Sequence, residues 1–538
     1  MQKGIILLET ESVFSIDIHE CYAFLSKFVL LNKVTYFPKM EPNKEELSVF
    51  IARFNQALKR VFHEQQDINE LSHDRGLPPH VWRDIMDTHP LAVAIPAEYG
   101  GRGSIVKECL SILSAASYES LPLSLTFGIN IALFLEPLAK YGDDKIKEKI
   151  FPEFLTGQRM GGLMITEPDY GSDALNMRTS YQTMGENYTI TGRKHWQGLT
   201  GQADYWLVAA RKDLGNGELA RDVDFFVTNN ADAKQRIEVE ALYSNLGLYM
   251  IPYGMNVINV EVPSYQRLQP ESTGIKMMLD ILHRSRLQFP GMGMGFIKRM
   301  LDEALQHCTT RMVGTGNLLA LDSVQFQLSR IQTAFTLCSG MCARSSDISG
   351  IEHNLATEGL EANSMKALVT DLMQESAQLC LQVSGANGYK ISHVAGRGIV
   401  DSRPFQIFEG SNEMLYTQIA EIVLKRMKRQ KETSLYQSLA SFAPTEKAIP
   451  HFREHLQFTL SDNLVQRKLV DLGKIVARVV NTQYVINMQE KGFRADLVEN
   501  CIYNMQLDVA QLASNLSLRH HAELVVEYQD ESDWMSFL

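Results

Sequence analysis

Tyr188-Thr-Ile-Thr-Gly-Arg-Lys-His-Trp196, followed closely by Tyr205-Trp-Leu-Val-Ala-Ala210, decides how this chain of 538 residues folds. Its β-branched and aromatic residues alternate or run together over lengths that suit a strand. Asp224-Phe-Phe-Val-Thr228, Ile237-Glu-Val-Glu-Ala241 and Val257-Ile-Asn-Val-Glu-Val262 repeat the pattern, with turn residues such as Gly185-Glu-Asn187 and Gly215-Asn-Gly217 between them. Short strands at this spacing predict a small β-barrel or sandwich over 162–273.

On both sides of this region the period changes to that of helices. Upstream, Asn55–Phe62, Pro79–Thr88, Val106–Ser120 and Asp143–Leu155 carry apolar positions three and four apart, which predicts a helical domain over 46–161. Residues 1–45 show no clear period and are set apart as an N-terminal extension. Downstream, Phe296–Val313, Leu321–Ser346, Glu358–Val383 and Glu413–Met427 are long enough for a four-helix bundle over 274–429. Apolar repeats in Val465–Val480 and Leu497–Leu518 make 430–538 a further helical extension. Helices, then strands, then helices exclude an alternating α/β chain, so the fold class is mostly α with a central β domain.

Composition narrows the function. The formal net charge is -11, and in 430–538 acids outnumber bases, so a nucleic-acid partner is not expected. Seven cysteines form no CxxC pair, and Cys338 and Cys342 share a helix face as packing residues. The N-terminal MQKGIILLETES is broken by acids and reads poorly as a signal peptide. Leu121–Leu135 contains Asn130 and is too short to cross a bilayer, so it is read as a buried helix. The expected compartment is the cytoplasm. Gly291-Met-Gly-Met-Gly295 lacks dinucleotide-loop spacing and a preceding strand, and reads as close helix packing. His451 and His455 in HFREH have no third ligand for zinc. There is no Walker A loop and no G-x-S-x-G elbow.

Three segments carry chemistry: Met164-Ile-Thr-Glu-Pro-Asp-Tyr-Gly-Ser-Asp173, the Gly192–Trp196 end of the opening stretch, and Phe405-Gln-Ile-Phe-Glu-Gly-Ser-Asn-Glu413. Together they resemble the acyl-CoA dehydrogenase family, with its T-E-P-x-x-G-S-D motif, G-x-K-x-W strand and I-x-E-G-x-x-E segment in the same order. Ile95–Gly103, Tyr141–Leu155 and Leu301–Leu305 add weaker matches, so that the resemblance covers about residues 75–428. It implies a helical domain, a β domain and a helical bundle. It also implies FAD as cofactor, and removal of two hydrogens from the α and β carbons of an acyl thioester.

Such a reaction needs a base for a very weakly acidic α-proton and a flavin to take the β-hydride. The resemblance implies Glu409 as the base, in a site where exclusion of water raises its pKa. No carboxylate stands in His283-Arg-Ser-Arg286, the other place where family members carry the base. For the flavin it implies Met164, Ile165, Thr166, Gly171, Ser172, Trp196, Gly198, Arg311, Gln325, Gln382, Gly385, Ala386, Ser411 and Glu413. Thr166 corresponds to a hydroxyl near flavin N5, Trp196 to an aromatic face on the ring, and Arg311 to a pyrophosphate ligand. For the substrate it implies Ser172, Arg286 and Gly410. Arg311 and the Gln382–Tyr389 loop correspond to positions that reach the FAD of a neighbouring subunit, so a homodimer or homotetramer is expected.

The sequence also departs from the family pattern. Gly198 stands where threonine is usual, which removes a flavin-side hydroxyl and is expected either to shift the redox potential or to leave space for water. Gly314 stands where an aromatic usually follows the arginine. Ala386 replaces a loop glycine, and Ser411 a threonine. His283 and Ser285 replace nearby acids, which leaves a carrier-protein thioester as an alternative to acyl-CoA. The electron acceptor implied is an electron-transferring flavoprotein; an oxygen-using oxidase and a non-catalytic flavoprotein scaffold are the alternatives. The extension resembles that of very-long-chain members, where such helices serve membrane association, although packing over a subunit face explains it more plainly.

Overall fold

The computed structural model describes residues 45–65, 76–461, 464–518 and 523–538; apart from Glu45, the expected extension over 1–45 lies outside the described residues. In helix α1 (Leu47–Lys59), Phe50, Phe54, Ala57 and Leu58 fall at helical spacing and are buried. The chain then passes through a π-turn at Arg60–Gln65. α2 (Pro79–Met86) opens on a proline, which suits a position needing no N–H. α3 (Val106–Glu119) stops at Ser120, whose hydroxyl accepts Leu123 N at 3.3 Å and so caps α4 (Leu121–Asn130). A π-turn at Ile131–Leu135 joins α4 to α5 (Glu136–Tyr141), and α6 (Asp144–Thr156) follows.

The run Leu121–Tyr141 is apolar and long enough to cross a membrane, yet 94% of its most apolar window is buried inside the protein. Core packing accounts for its composition. Asn130 is fully buried because it works as a clip: Oδ1 accepts Gly161 N at 2.7 Å and Nδ2 donates to Thr126 O at 2.7 Å. The helical part is thereby joined to the first strand.

The sheet has seven strands, β1 (Gly161–Met164), β2 (Ser180–Met184), β3 (Asn187–His195), β4 (Tyr205–Lys212), β5 (Asp224–Asn229), β6 (Glu238–Leu242) and β7 (Gly254–Pro263), ordered β1-β4-β2-β3-β7-β6 with β5 on β4. β1 and β2 run parallel to β4; the other pairs are antiparallel. Tyr205–Ala210 is buried on both faces, which explains its unbroken apolar run. Phe134 and Phe154 from the helices lie 6.1 and 6.0 Å from the Tyr205 ring. β7 covers one side and alternates in burial.

Helices return with α7 (Gly274–Arg286), α8 (Phe289–Thr310), α9 (Asp322–Ile348), α10 (Gly359–Ser384), α11 (Val394–Ser402) and α12 (Asn412–Gln430). The helix expected to reach Val313 ends at Thr310. Met312–Val313 and Gly316–Asn317 form a hairpin instead, turned by Gly314 at φ 61°, a backbone value that disfavours the aromatic expected there. The glycines of the G-M-G-M-G run do pack helices closely. A Cβ on Gly291 would lie 3.0–3.1 Å from Leu110, and one on Gly295 would collide with Ser114 O.

The extension is helical. After short helices at Leu435–Ala440 and Arg453–Leu456, α13 (Gln466–Glu490) and α14 (Ala495–Ser517) lie along the bundle. Buried polar contacts fix them: Tyr484 OH donates to Glu361 Oε2 at 2.7 Å, and Arg330 and Arg478 both reach Asp508 at 2.8 Å. Gly473 passes directly over the Tyr416 backbone.

Candidate active site

The first two motifs are joined by one lysine. Lys194, on β3 and fully buried, donates to Ile165 O at 2.7 Å and to Glu167 Oε1 at 2.9 Å. Burial pulls its ammonium down to about 8, while Glu167 opposes the change. Glu167 also accepts the backbone N–H of Arg178 at 2.6 Å and of Thr179 at 2.8 Å, which closes the loop that carries Gly171 and Ser172. The carbonyl of Thr166 accepts from His195 N at 3.0 Å and Gln197 Nε2 at 3.2 Å. Thr166 and Trp196 are therefore neighbours by construction. Met164 is buried in β1, Ile165 and Thr166 are half-buried, and Gly171 and Ser172 are exposed.

Trp196 is 52% exposed, unusual for so large an apolar ring, and its backbone sits at φ 60°. Tyr243 lies 4.6 Å from it and Tyr253 6.1 Å. An open indole face beside the half-buried Thr166 hydroxyl, which has no partner among the described residues, fits a planar ring with polar edge atoms. The space next to Gly198 differs from the expectation. A Cβ there would meet Ile129 Cδ1 at 2.7 Å, Ile251 Cγ2 at 3.2 Å and Tyr253 Cε1 at 3.5 Å. The place a side chain would take at this position is thus occupied by Ile129, Ile251 and Tyr253.

Glu409 sits in the turn before α12 at φ 53°, followed by Gly410 at φ 93°. Holding a non-glycine residue there costs roughly 1–2 kcal/mol, so its surroundings must impose it. They do. Arg286 donates to the Glu409 carbonyl through Nε at 3.1 Å and Nη2 at 2.8 Å, and through Nη1 to Asn363 Oδ1 at 2.8 Å. Lys366 donates to the Gly410 carbonyl at 2.8 Å and to Asn412 Oδ1 at 3.0 Å. Ser285 Oγ donates to Glu409 Oε1 at 3.0 Å, while Oε2 is fully enclosed and has no partner among the described residues. Burial pushes the Glu409 carboxyl above its ordinary value; Arg286, the Ser285 hydrogen bond and Lys366 pull it back. An enclosed carboxylate with one free oxygen is equipped to take a proton from a bound molecule.

Arg286 lies enclosed beside this turn. Expected to contact substrate, it is 6% exposed, and within the chain its guanidinium donates to the Glu409 carbonyl and to Asn363 Oδ1. His283 and Ser285 are buried with it and face the interior, with His283 Nδ1 on Leu355 O at 2.7 Å. The sequence reading passed over Lys194, Glu167, Asn363 and Lys366. For the last two a signal existed: Asn363, Lys366, Thr370 and Gln374 recur at helical spacing in an otherwise apolar helix.

The remaining expected residues lie at another end of the bundle. Arg311, Gln325, Gln382, Gly385 and Ala386 are all exposed; Gly385 has φ 60° and open space where a Cβ would go. Gln325 donates to Leu319 O at 2.9 Å, and the Arg311 side chain has no partner among the described residues. Ser411 caps α12 without a side-chain bond, and Glu413 lies exposed in its first turn. Among the described residues no group of His, Cys, Asp and Glu could hold a metal ion.

A helical domain, a curled sheet and a helical bundle around an enclosed glutamate describe an acyl-CoA dehydrogenase-like class, and the comparisons agree. Residues 49–158, 162–259 and 272–424 match the N-terminal, middle and C-terminal domain models of acyl-CoA dehydrogenase. The chain belongs to the acyl-CoA dehydrogenase family. The mouse very long-chain specific acyl-CoA dehydrogenase is 24% identical over 70% of this chain, which spans only 58% of that relative's length. An acyl-CoA dehydrogenase of Bacillus subtilis is 24% identical over 62% of this chain and 86% of its own. An acyl-CoA dehydrogenase of Bacillus anthracis, solved in complex with FAD, superposes with a TM-score of 0.67 at 17% identity, over 94% of this chain and 88% of its own.

Proposed function

We propose that the protein is an FAD-dependent dehydrogenase of acyl thioesters in which Glu409 is the base. The observation that carries this reading is the Glu409 carboxylate, enclosed, raised in pKa and left with one unpartnered oxygen. FAD bound beside Thr166 and Trp196 would supply the acceptor for the hydride that leaves the β carbon. The chain's own part is to bind, orient and deprotonate. Glu409 Oε2 takes the α-proton, and the electron pair of that C–H bond becomes the new α,β double bond. Enclosure matters because a carboxylate stripped of water is a stronger base towards carbon. Ser285 fixes the other oxygen, so the carboxylate presents a single acceptor.

Arg311, Gln325, Gln382 and Gly385 suit the phosphates and adenosine of a nucleotide brought from outside the chain: a guanidinium without a partner among the described residues and a glycine that leaves room for backbone approach. We assign this end to the FAD of a second subunit, in a homodimer or homotetramer. Electrons would pass on to an electron-transferring flavoprotein.

The test is anaerobic. Purified protein loaded with FAD is mixed with a panel of acyl-CoA and carrier-protein thioesters while the visible flavin absorbance is followed. Bleaching by one class names the substrate. A protein that binds no FAD after reconstitution, or FAD that no thioester bleaches, overturns the reading.

A further inference from the structure

Both carbonyls of the Glu409–Gly410 pair end on a buried cation. Arg286, at the end of α7, holds the first; Lys366, in α10, holds the second. Lys366 is 0% exposed, and its ammonium is fully engaged, with Gly410 O at 2.8 Å, Asn412 Oδ1 at 3.0 Å and the Phe289 ring centroid at 5.9 Å. Asn412 is locked in turn, its Nδ2 donating to Ala367 O at 3.0 Å, Thr370 Oγ1 at 2.9 Å and Asp371 Oδ1 at 2.7 Å. Asp371 also accepts from Gln406 Nε2 and Tyr416 OH, each at 2.7 Å. The turn that carries the base is therefore fastened along one face of α10.

We propose that Lys366 is a positioning residue for Glu409: with Arg286 it holds the Glu409–Gly410 pair in its left-handed geometry and places a second positive charge beneath the carboxylate. A neutral donor could hold one carbonyl. A buried ammonium is expensive in a fold, and it is kept where its charge acts. The charged groups facing Glu409 are Arg286 from α7 and Lys366 from α10; those facing Lys366 are Glu409, Arg286, Asp371 and Glu413. Burial lowers the Lys366 ammonium and raises the Glu409 carboxyl, while each pulls the other towards its charged form. Without Lys366, Glu409 stays protonated to higher pH and fewer molecules hold the base ready.

This inference rests on Glu409 being the base, and the experiment separates the two. The rate of anaerobic flavin reduction is measured against pH for wild type, Lys366→Gln, Lys366→Met and Asp371→Asn. The rate rises with pH as Glu409 ionises. Lys366→Gln should move that rise upward by about one pH unit, a tenfold loss below it, with recovery at high pH. Lys366→Met should move it as far and also lower the plateau, since the Gly410 carbonyl loses its donor. Asp371→Asn removes the acid that holds Lys366 in its charged form and should move the rise upward as well, by less than Lys366→Gln. A lysine that only supports the fold would lower the thermal midpoint and leave the pH profile in place; that result overturns the proposal. If no thioester bleaches wild type, the proposed function fails on its own, and the carboxyl titration decides about Lys366. Isotope-edited infrared spectra identify the Glu409 band by its loss in Glu409→Gln. Lys366→Gln must raise its titration and Asp371→Asn must raise it by less; an unmoved band overturns the proposal. If the Lys366 variants do not fold, the direction given by Asp371→Asn decides alone.

Discussion

The two ends of α10 are built on opposite principles. At the Lys366 end nearly every polar group is buried and bonded within the chain: Asn363 to Arg286, Lys366 to Gly410 and Asn412, Asp371 to Asn412, Gln406 and Tyr416. At the Gln382 end, about 24 Å further along at the rise of an α-helix, Gln382, Gly385 and Ala386 face outward. The difference teaches what each end is for. A group that must meet a reacting atom within a fraction of an ångström has to be fixed by its own chain. A group that greets a ligand from outside keeps its hydrogen bonds open until the ligand comes.

The comparison is attacked most severely at Glu409. Glu409→Gln keeps the shape and removes the base, and we expect the anaerobic rate of flavin reduction to fall by about 10²–10⁴-fold. Thermal stability should fall too, because buried Arg286 and Lys366 lose the carboxylate that offsets their charge. An unchanged rate would move the base elsewhere and leave the fixed end of α10 without a purpose.

Arg286→Ala comes next, read as stability. It leaves the Glu409 carbonyl and Asn363 Oδ1 without donors in a buried site, beside a carboxylate that loses its nearest cation. A loss of about 3–5 kcal/mol in denaturant unfolding is expected. Arg286→Lys should recover only part of it, since an ammonium lacks the fork that serves both acceptors. A loss under about 1 kcal/mol would show that the turn holds itself.

Much of this was legible in the sequence, and the failures have a common cause. The order of helices, strands and helices followed from the period of apolar residues, since burial imposes that period directly. β1 escaped because two of its four residues are Gly161 and Gly162, present for close packing against Phe134 and Trp206 and carrying no strand signal. Glu409 was readable because a short motif surrounds it. The enclosure of Arg286 against the Glu409 carbonyl and Asn363 was not legible, because an arginine looks the same in sequence whether its partner is a phosphate or a carbonyl. Lys194 was passed over for a related reason, since the Ile165 carbonyl it holds leaves no mark in the sequence, whereas Lys366 stood in a row of polar residues at helical spacing whose meaning only the fold supplies. Gly198 shows the limit most clearly. Its lost side chain read as empty space, while the volume is filled from Ile129 and Ile251, remote in sequence.

That filling gives a test of intermediate size. Gly198→Thr brings a Cβ to 2.7 Å from Ile129 Cδ1, and overpacking of this kind costs about 1–3 kcal/mol. Ile129→Val removes the colliding methyl, so the double variant should be more stable than the two single losses added together predict. Additive losses in thermal unfolding would mean that the contact does not define the site.

The smallest effect on the fold belongs to the open end, and it is the most discriminating. Arg311→Ala and Gln382→Ala remove exposed side chains, so unfolding free energy should change by no more than about 0.5 kcal/mol. If their hydrogen bonds are kept for a nucleotide, the cost appears only when FAD is present. The variants should lose FAD on gel filtration faster than wild type, and added salt should weaken retention less in Arg311→Ala, because the charge that salt screens is gone. Thermal midpoints without FAD should coincide with wild type and separate on its addition, since a ligand stabilises only in proportion to its binding. Equal FAD retention would break the comparison at its outer end: α10 would then be fixed around Glu409 and merely solvated at Gln382, and the glycine at 385 would answer to the turn alone.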